Sequence, residues 1–117
     1  MKMKENVVAI KSKAFAIRII KFSTHLQKEK GEYVLSSQIL RSGTSIGANT
    51  RESKNAQSMA DFINKLSVAL KEADETAYWL ELLYNCSFLT ENQYNSMKKD
   101  CMELMAMLSS SIRSCEK

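Results

Sequence analysis

Apolar side chains recur along this chain at steps of three and four residues, and almost nothing interrupts them. From Val8 through Ser12, Phe15, Ile19, Phe22 and Leu26 the steps alternate four and three, which places the set on one stripe of a helix. The 117 residues include no proline and only three glycines, so tight turns are few and long helices are favoured over many short strands. A chain of this length makes a single domain, spanning 1–117. The expected fold is all-α, an antiparallel up-and-down four-helix bundle.

Helices are expected at about 5–30, 36–54, 58–85 and 90–114. The first stops at Gly31, after Lys28 and Lys30 have placed cations in its last turn. For the second, Ser36 is the expected N-cap, with Leu35 and Leu40 as a hydrophobic staple. Ser58 and Asp61 form the expected capping box of the third, whose core stripe is Met59, Phe62, Leu66, Ala69, Ala73, Ala77, Leu80 and Tyr84. The fourth has the strongest start signal, a Thr90–Gln93 box with Leu89 and Tyr94 as staple. Its stripe continues through Tyr94, Met97, Cys101, Leu104, Leu108, Ile112 and Cys115. Short connections suit antiparallel neighbours. Ile17, Ile20, Val68 and Trp79 fall off these stripes, and a helix apolar on more than one side has more than one neighbour. These four are the candidate subunit interface.

QILRSGTSIGANTRES, residues 38–53, contains two of the three glycines. It is not G-x-G-x-x-G, it lacks the Lys-Ser/Thr ending of a P-loop, and no strand leads into it. At about 100° per residue, Ile39, Gly43, Ile46, Gly47 and Thr50 share one helical face. A glycine inside a helix costs about 1 kcal/mol relative to alanine, so a compensating close approach is expected. Gly43, Gly47, Ile39 and Ile46 are therefore read as helix-packing residues. Gln38, Ser42, Ser45, Asn49 and Glu52 line a neighbouring face, either as contacts to an adjacent helix or as a polar surface for phosphates and bases edged by Arg41 and Arg51.

The formal net charge is +4, but residues 1–30 carry +6 and residues 61–90 carry −3. That asymmetry fits helices that attract one another, or a nucleic-acid footprint on the first helix. Cys86, Cys101 and Cys115 make no CxxC pair, and with His25 as the single imidazole a zinc site lacks ligands. No metal or cofactor is expected. Arg18 interrupts AFAIRII, and no run approaches the roughly 20 apolar residues of a membrane span. A cytoplasmic protein with no membrane contact is expected. No Glu-x-x-His pair points to a di-iron bundle, and no motif places a nucleophile beside His25, so no catalytic residue is assigned and an enzyme is not expected.

QILRSGTSIGANTRES, followed by DFINKLSVALKEADETAYWLELL and preceded by KSKAFAIRIIKF, resembles the four-helix bundle proteins encoded in intervening sequences of bacterial 23S rRNA genes. The resemblance covers nearly the whole chain. A related branch is the accessory protein of diversity-generating retroelements, which assists a reverse transcriptase. What the resemblance implies is a bundle assembling into a ring-like homopentamer, a reverse transcriptase or other protein as partner, and RNA or DNA binding through a basic surface. Thr50 stands where many relatives have an apolar residue.

Two functions follow. One is noncatalytic nucleic-acid association, with Lys4, Lys11, Arg18, Lys21, Lys28, Arg41 and Arg51 as phosphate-neutralising candidates and His25 beside them. The other is a structural or adaptor oligomer that binds proteins without touching nucleic acid. No aromatic residues interleave with the basic positions, so base stacking is not expected there.

Overall fold

The computed structural model describes residues 2–116, with side chains described from residue 7 onward. It contains four α-helices: α1 (Lys2–Lys30), α2 (Val34–Ser53), α3 (Met59–Asn85) and α4 (Glu91–Cys115). No strand occurs among the described residues. A helix as long as α1 spans about 43 Å at 1.5 Å per residue, and it sets the 45 Å long axis of a body 22 by 19 Å across.

Cross-helix contacts give the directions. Moving up α1, Ser12 faces Gly47, Ile19 faces Gly43, and the Ser23 hydroxyl donates to the Ser36 carbonyl; the α2 partner number falls at each step. The same reversal joins α2 to α3, through Ser42–Thr76 and Glu52–Lys65. It joins α3 to α4 through Ala73–Cys101 and the stacked rings of Tyr84 and Tyr94. Arg18–Ser96 and Lys11–Glu103 then close α1 onto α4 in the same sense. Each helix runs opposite to both neighbours. Diagonal pairs stay apart, and the α1–α4 seam is the least intimate of the four.

The space between is filled by Ile19, Leu26, Ile39, Ile46, Leu80, Leu83, Leu104 and Leu108, all essentially inaccessible to solvent. Most of the periodic stripes are buried as their spacing requires. On α3 the buried arc is wider than one stripe, because the helix faces both α2 and α4. Thr76 is buried against Ser42 on the α2 side, while Met59, the first residue of α3, stays exposed.

Helix ends follow local chemistry. Gly31 adopts φ +65°, a left-handed conformation that glycine takes without Cβ strain, and the Glu32 N–H donates to the Leu26 carbonyl. The expected Ser36 cap is corrected. The α2 helix begins at Val34, and the Glu32 carboxylate accepts from the N–H groups of Val34, Leu35 and Ser36. A carboxylate there satisfies three donors and suits the positive end of the helix dipole, which frees Ser36 to be buried within the first turns. Half of the expected box at α3 forms: Ser58 accepts from the Asp61 N–H, but the Asp61 carboxylate reaches Gln57 instead of Ser58. Both halves of the Thr90–Gln93 box are present.

Candidate nucleic-acid interface

The α1–α2 seam is set by the glycines. A Cβ added at Gly43 would lie 2.9 Å from two carbons of the buried Ile19 side chain, so the helices approach where no larger residue fits. At Gly47 the nearest atom is the Ser12 hydroxyl oxygen at 3.4 Å, an ordinary contact. Ile39 and Ile46 are fully buried on the same face. Thr50 is buried too, and its hydroxyl donates to the Ile46 carbonyl at 2.8 Å, so the polar group at this position is satisfied.

The neighbouring polar face turns mainly toward α3. Ser42 and Thr76 share a buried 2.8 Å hydrogen bond, and Glu52 pairs with Lys65 at 3.1 Å. Ser45 and Asn49 donate to carbonyls of their own helix. Gln38 accepts from Arg41, although at 3.4 Å the contact is long. Arg41 itself is clamped between Glu72 and Glu75, and Glu75 also accepts from the Trp79 indole N–H at 3.0 Å. With two carboxylates on it, this guanidinium has little charge left for a phosphate.

The α1 cations divide into two groups. Lys11 pairs with Glu103 at 2.9 Å; Arg18 pairs with Asp100 at 2.7 Å and donates to the Ser96 hydroxyl at 2.8 Å. These pairs are about half exposed, and surface pairs of this kind stabilise by about 0.2–1 kcal/mol. Lys21, Lys28 and Arg51 are exposed and meet no carboxylate among the described residues. The Lys4 side chain lies outside the described ones. His25 is exposed, on a shallow polar cleft with Lys30, Tyr84 and Gln93. Lys13 and Lys54, which the charge pattern of the sequence does not single out, are exposed and unpaired in the same sense. For Lys54 a signal exists: continuing the Gly43–Gly47 face by steps of four and three leads through Arg51 to Lys54.

The four off-stripe apolar residues do not form one patch. Ile17 and Ile20 are 45% and 47% exposed on the outer side of α1. Val68 is half-buried on α3, and Trp79 packs against the edge of the core there. Cys101 is buried and its thiol donates to the Ala73 carbonyl. Burial, reinforced by Asp74 and Asp100, pushes its pKa up from 9.0 to about 12, so it stays a neutral thiol. Among the described residues no group of three or more His, Cys, Asp or Glu side chains is placed to hold a metal ion. Among the described residues no helix is long and apolar enough to cross a membrane.

Fold and surface together define a small antiparallel helical bundle with exposed cations on α1 and α2 that meet no carboxylate among the described residues. Residues 4–110 match the model of the 23S rRNA-intervening sequence protein family, and the chain belongs to that family. A solved structure from Bacteroides thetaiotaomicron VPI-5482, of a protein with unknown function from the S23 ribosomal protein family, is 55% identical. It superposes with a TM-score of 0.93 over 94% of this chain and 98% of that one. No curated protein matches the chain.

Proposed function

We propose that this chain is a noncatalytic, cytoplasmic homo-oligomer, a ring-like pentamer, that associates with RNA or DNA through its basic surface. The observation that carries the reading is the set of exposed cations, Lys21, Lys28 and Arg51, that no carboxylate neutralises among the described residues. Membership of a family named for 23S rRNA intervening sequences agrees with it. Cations of this kind neutralise phosphates and release counterions, giving affinity with little dependence on base sequence.

Assembly is supported by the apolar residues left open. Ile17 and Ile20 lie on α1, and Val68 and Trp79 lie on the diagonally opposite α3. Two different faces on one subunit suit a heterologous contact, the kind that builds a ring when its rotation closes. Light scattering should return a mass near five times 13.3 kDa. A monodisperse monomer would remove the assembly.

The same exposed isoleucines favour the second reading, a structural or adaptor oligomer with a protein partner such as a reverse transcriptase. Fluorescence anisotropy with labelled RNA and DNA over a salt series separates the two. Nucleic-acid association predicts binding that falls steeply with salt, and Lys21→Gln/Lys28→Gln should weaken it for both. Absence of binding even at about 50 mM salt leaves the adaptor reading.

A further inference from the structure

Small residues at the α1–α2 seam leave a groove on the outside of the bundle. Its walls are Ala9, Ser12 and Ala16 on one side and Thr44, Gly47 and Ala48 on the other, enclosing about 520 Å³. Lys13, Arg51 and Lys54 stand at its edges, all three exposed, and no carboxylate lines it among the described residues. The α1–α4 seam holds a comparable hollow around Phe15 and Leu104, but there Lys11 and Arg18 are matched by Glu103 and Asp100. Two hollows therefore flank one helix, one neutralised from within and the other left positive.

We propose that the α1–α2 groove holds the sugar–phosphate backbone of a nucleic-acid strand, with Lys13, Arg51 and Lys54 as its phosphate contacts. The assignment rests on the nucleic-acid reading above and locates it. Charge complementarity selects the occupant: three cations that meet no carboxylate among the described residues suit a polyanion, and an uncharged protein helix would leave them unpaired. Small side chains on both walls let the backbone come close, with the apolar rim of Ile10 beside it. No aromatic residue lines the groove, so bases have no stacking platform and recognition is of phosphate, blind to sequence.

Anisotropy of a fluorescein-labelled 20-nucleotide strand, as RNA and as DNA, across a potassium chloride series tests this. Removing three cations that each hold a phosphate of a single strand lowers the slope of log affinity against log salt by roughly two units. Lys13→Gln/Arg51→Gln/Lys54→Gln should show that drop with RNA and DNA alike, while Lys11→Gln/Arg18→Gln keeps the parent slope within a fraction of a unit. Circular dichroism and light scattering establish that each variant is folded and assembled like the parent. Should the triple variant not be, Arg51→Gln alone stands in, with a slope lower by about 0.7 unit. A parent slope in the groove variant overturns the groove while leaving nucleic-acid binding in place. A drop confined to RNA overturns the backbone assignment, and a parent that binds neither strand removes the nucleic-acid reading with it.

Discussion

The two seams of α1 are built from opposite materials. Toward α2 the contact is made of glycine, serine and isoleucine, with a glycine where a single methyl would collide with Ile19. Toward α4 the helices stand further apart, and the gap is bridged by long charged side chains, Lys11 to Glu103 and Arg18 to Asp100. Among the described residues no carboxylate stands opposite the cations at the edge of the tight seam, whereas the equally close α2–α3 seam carries Arg41–Glu72 and Lys65–Glu52 bridges. At the loose seam Glu103 and Asp100 do face the cations, so Lys11 and Arg18 are used up. One helix thus presents a structural set and an available set of positive charges, and the difference follows from whether the facing helix offers a carboxylate.

The largest effect should come from Gly43→Leu. A branched side chain there enters space occupied by Ile19, and overpacking a tight core costs about 1–3 kcal/mol, more if the helices must part. Urea unfolding measures it, and Ile19→Ala in the same chain should recover part of the loss. A parent-like midpoint for Gly43→Leu would mean that the seam is not close-packed.

The α3–α4 seam supplies a third case, in which a buried thiol meets a backbone carbonyl. Cys101 has a folded-state pKa raised by burial to about 12, so the folded chain favours the neutral thiol while the unfolded chain ionises from about 9 upward. Its contribution is therefore complete below that value and declines between pH 9 and 12. Stability of Cys101→Ala should show a correspondingly weaker fall over that window. Iodoacetamide labelling at pH 8, read by mass spectrometry, should modify the exposed Cys86 well before Cys101.

Gly47→Ala should give the smallest change and the opposite sign. Its Cβ would meet Ser12 at ordinary contact distance, so the helix-propensity gain, at most about 1 kcal/mol, is not cancelled by a clash. A loss comparable with Gly43→Leu would show that the whole seam is as tight as its centre.

Much of this is legible in the residues. Apolar periodicity locates four helices because each must bury a stripe, and the Thr90–Gln93 box fixes the start of α4 because both halves of its chemistry are local. The face shared by Gly43 and Gly47 is readable for the same reason. Ser36 looks like a cap in the sequence because the competing acceptor belongs to Glu32, whose carboxylate reaches three N–H groups from outside the helix. On α1 the partition of cations is not legible. Lys11 and Lys13 are two residues apart on one helix, and only the tertiary neighbours, Glu103 on one side and a glycine-lined groove on the other, tell them apart.

Stability of two paired variants at low ionic strength tests that partition most directly. Lys11→Gln/Arg18→Gln removes both bridges across the loose seam and should lower unfolding free energy by about 0.5–2 kcal/mol, a loss that shrinks with added salt. Lys13→Gln/Arg51→Gln removes cations that meet no carboxylate among the described residues and should cost less, at most the ~0.3–1 kcal/mol that Arg51 contributes in the last turn of α2. Equal losses from the two pairs would contradict the account, because the cations at the tight seam would then have partners of their own.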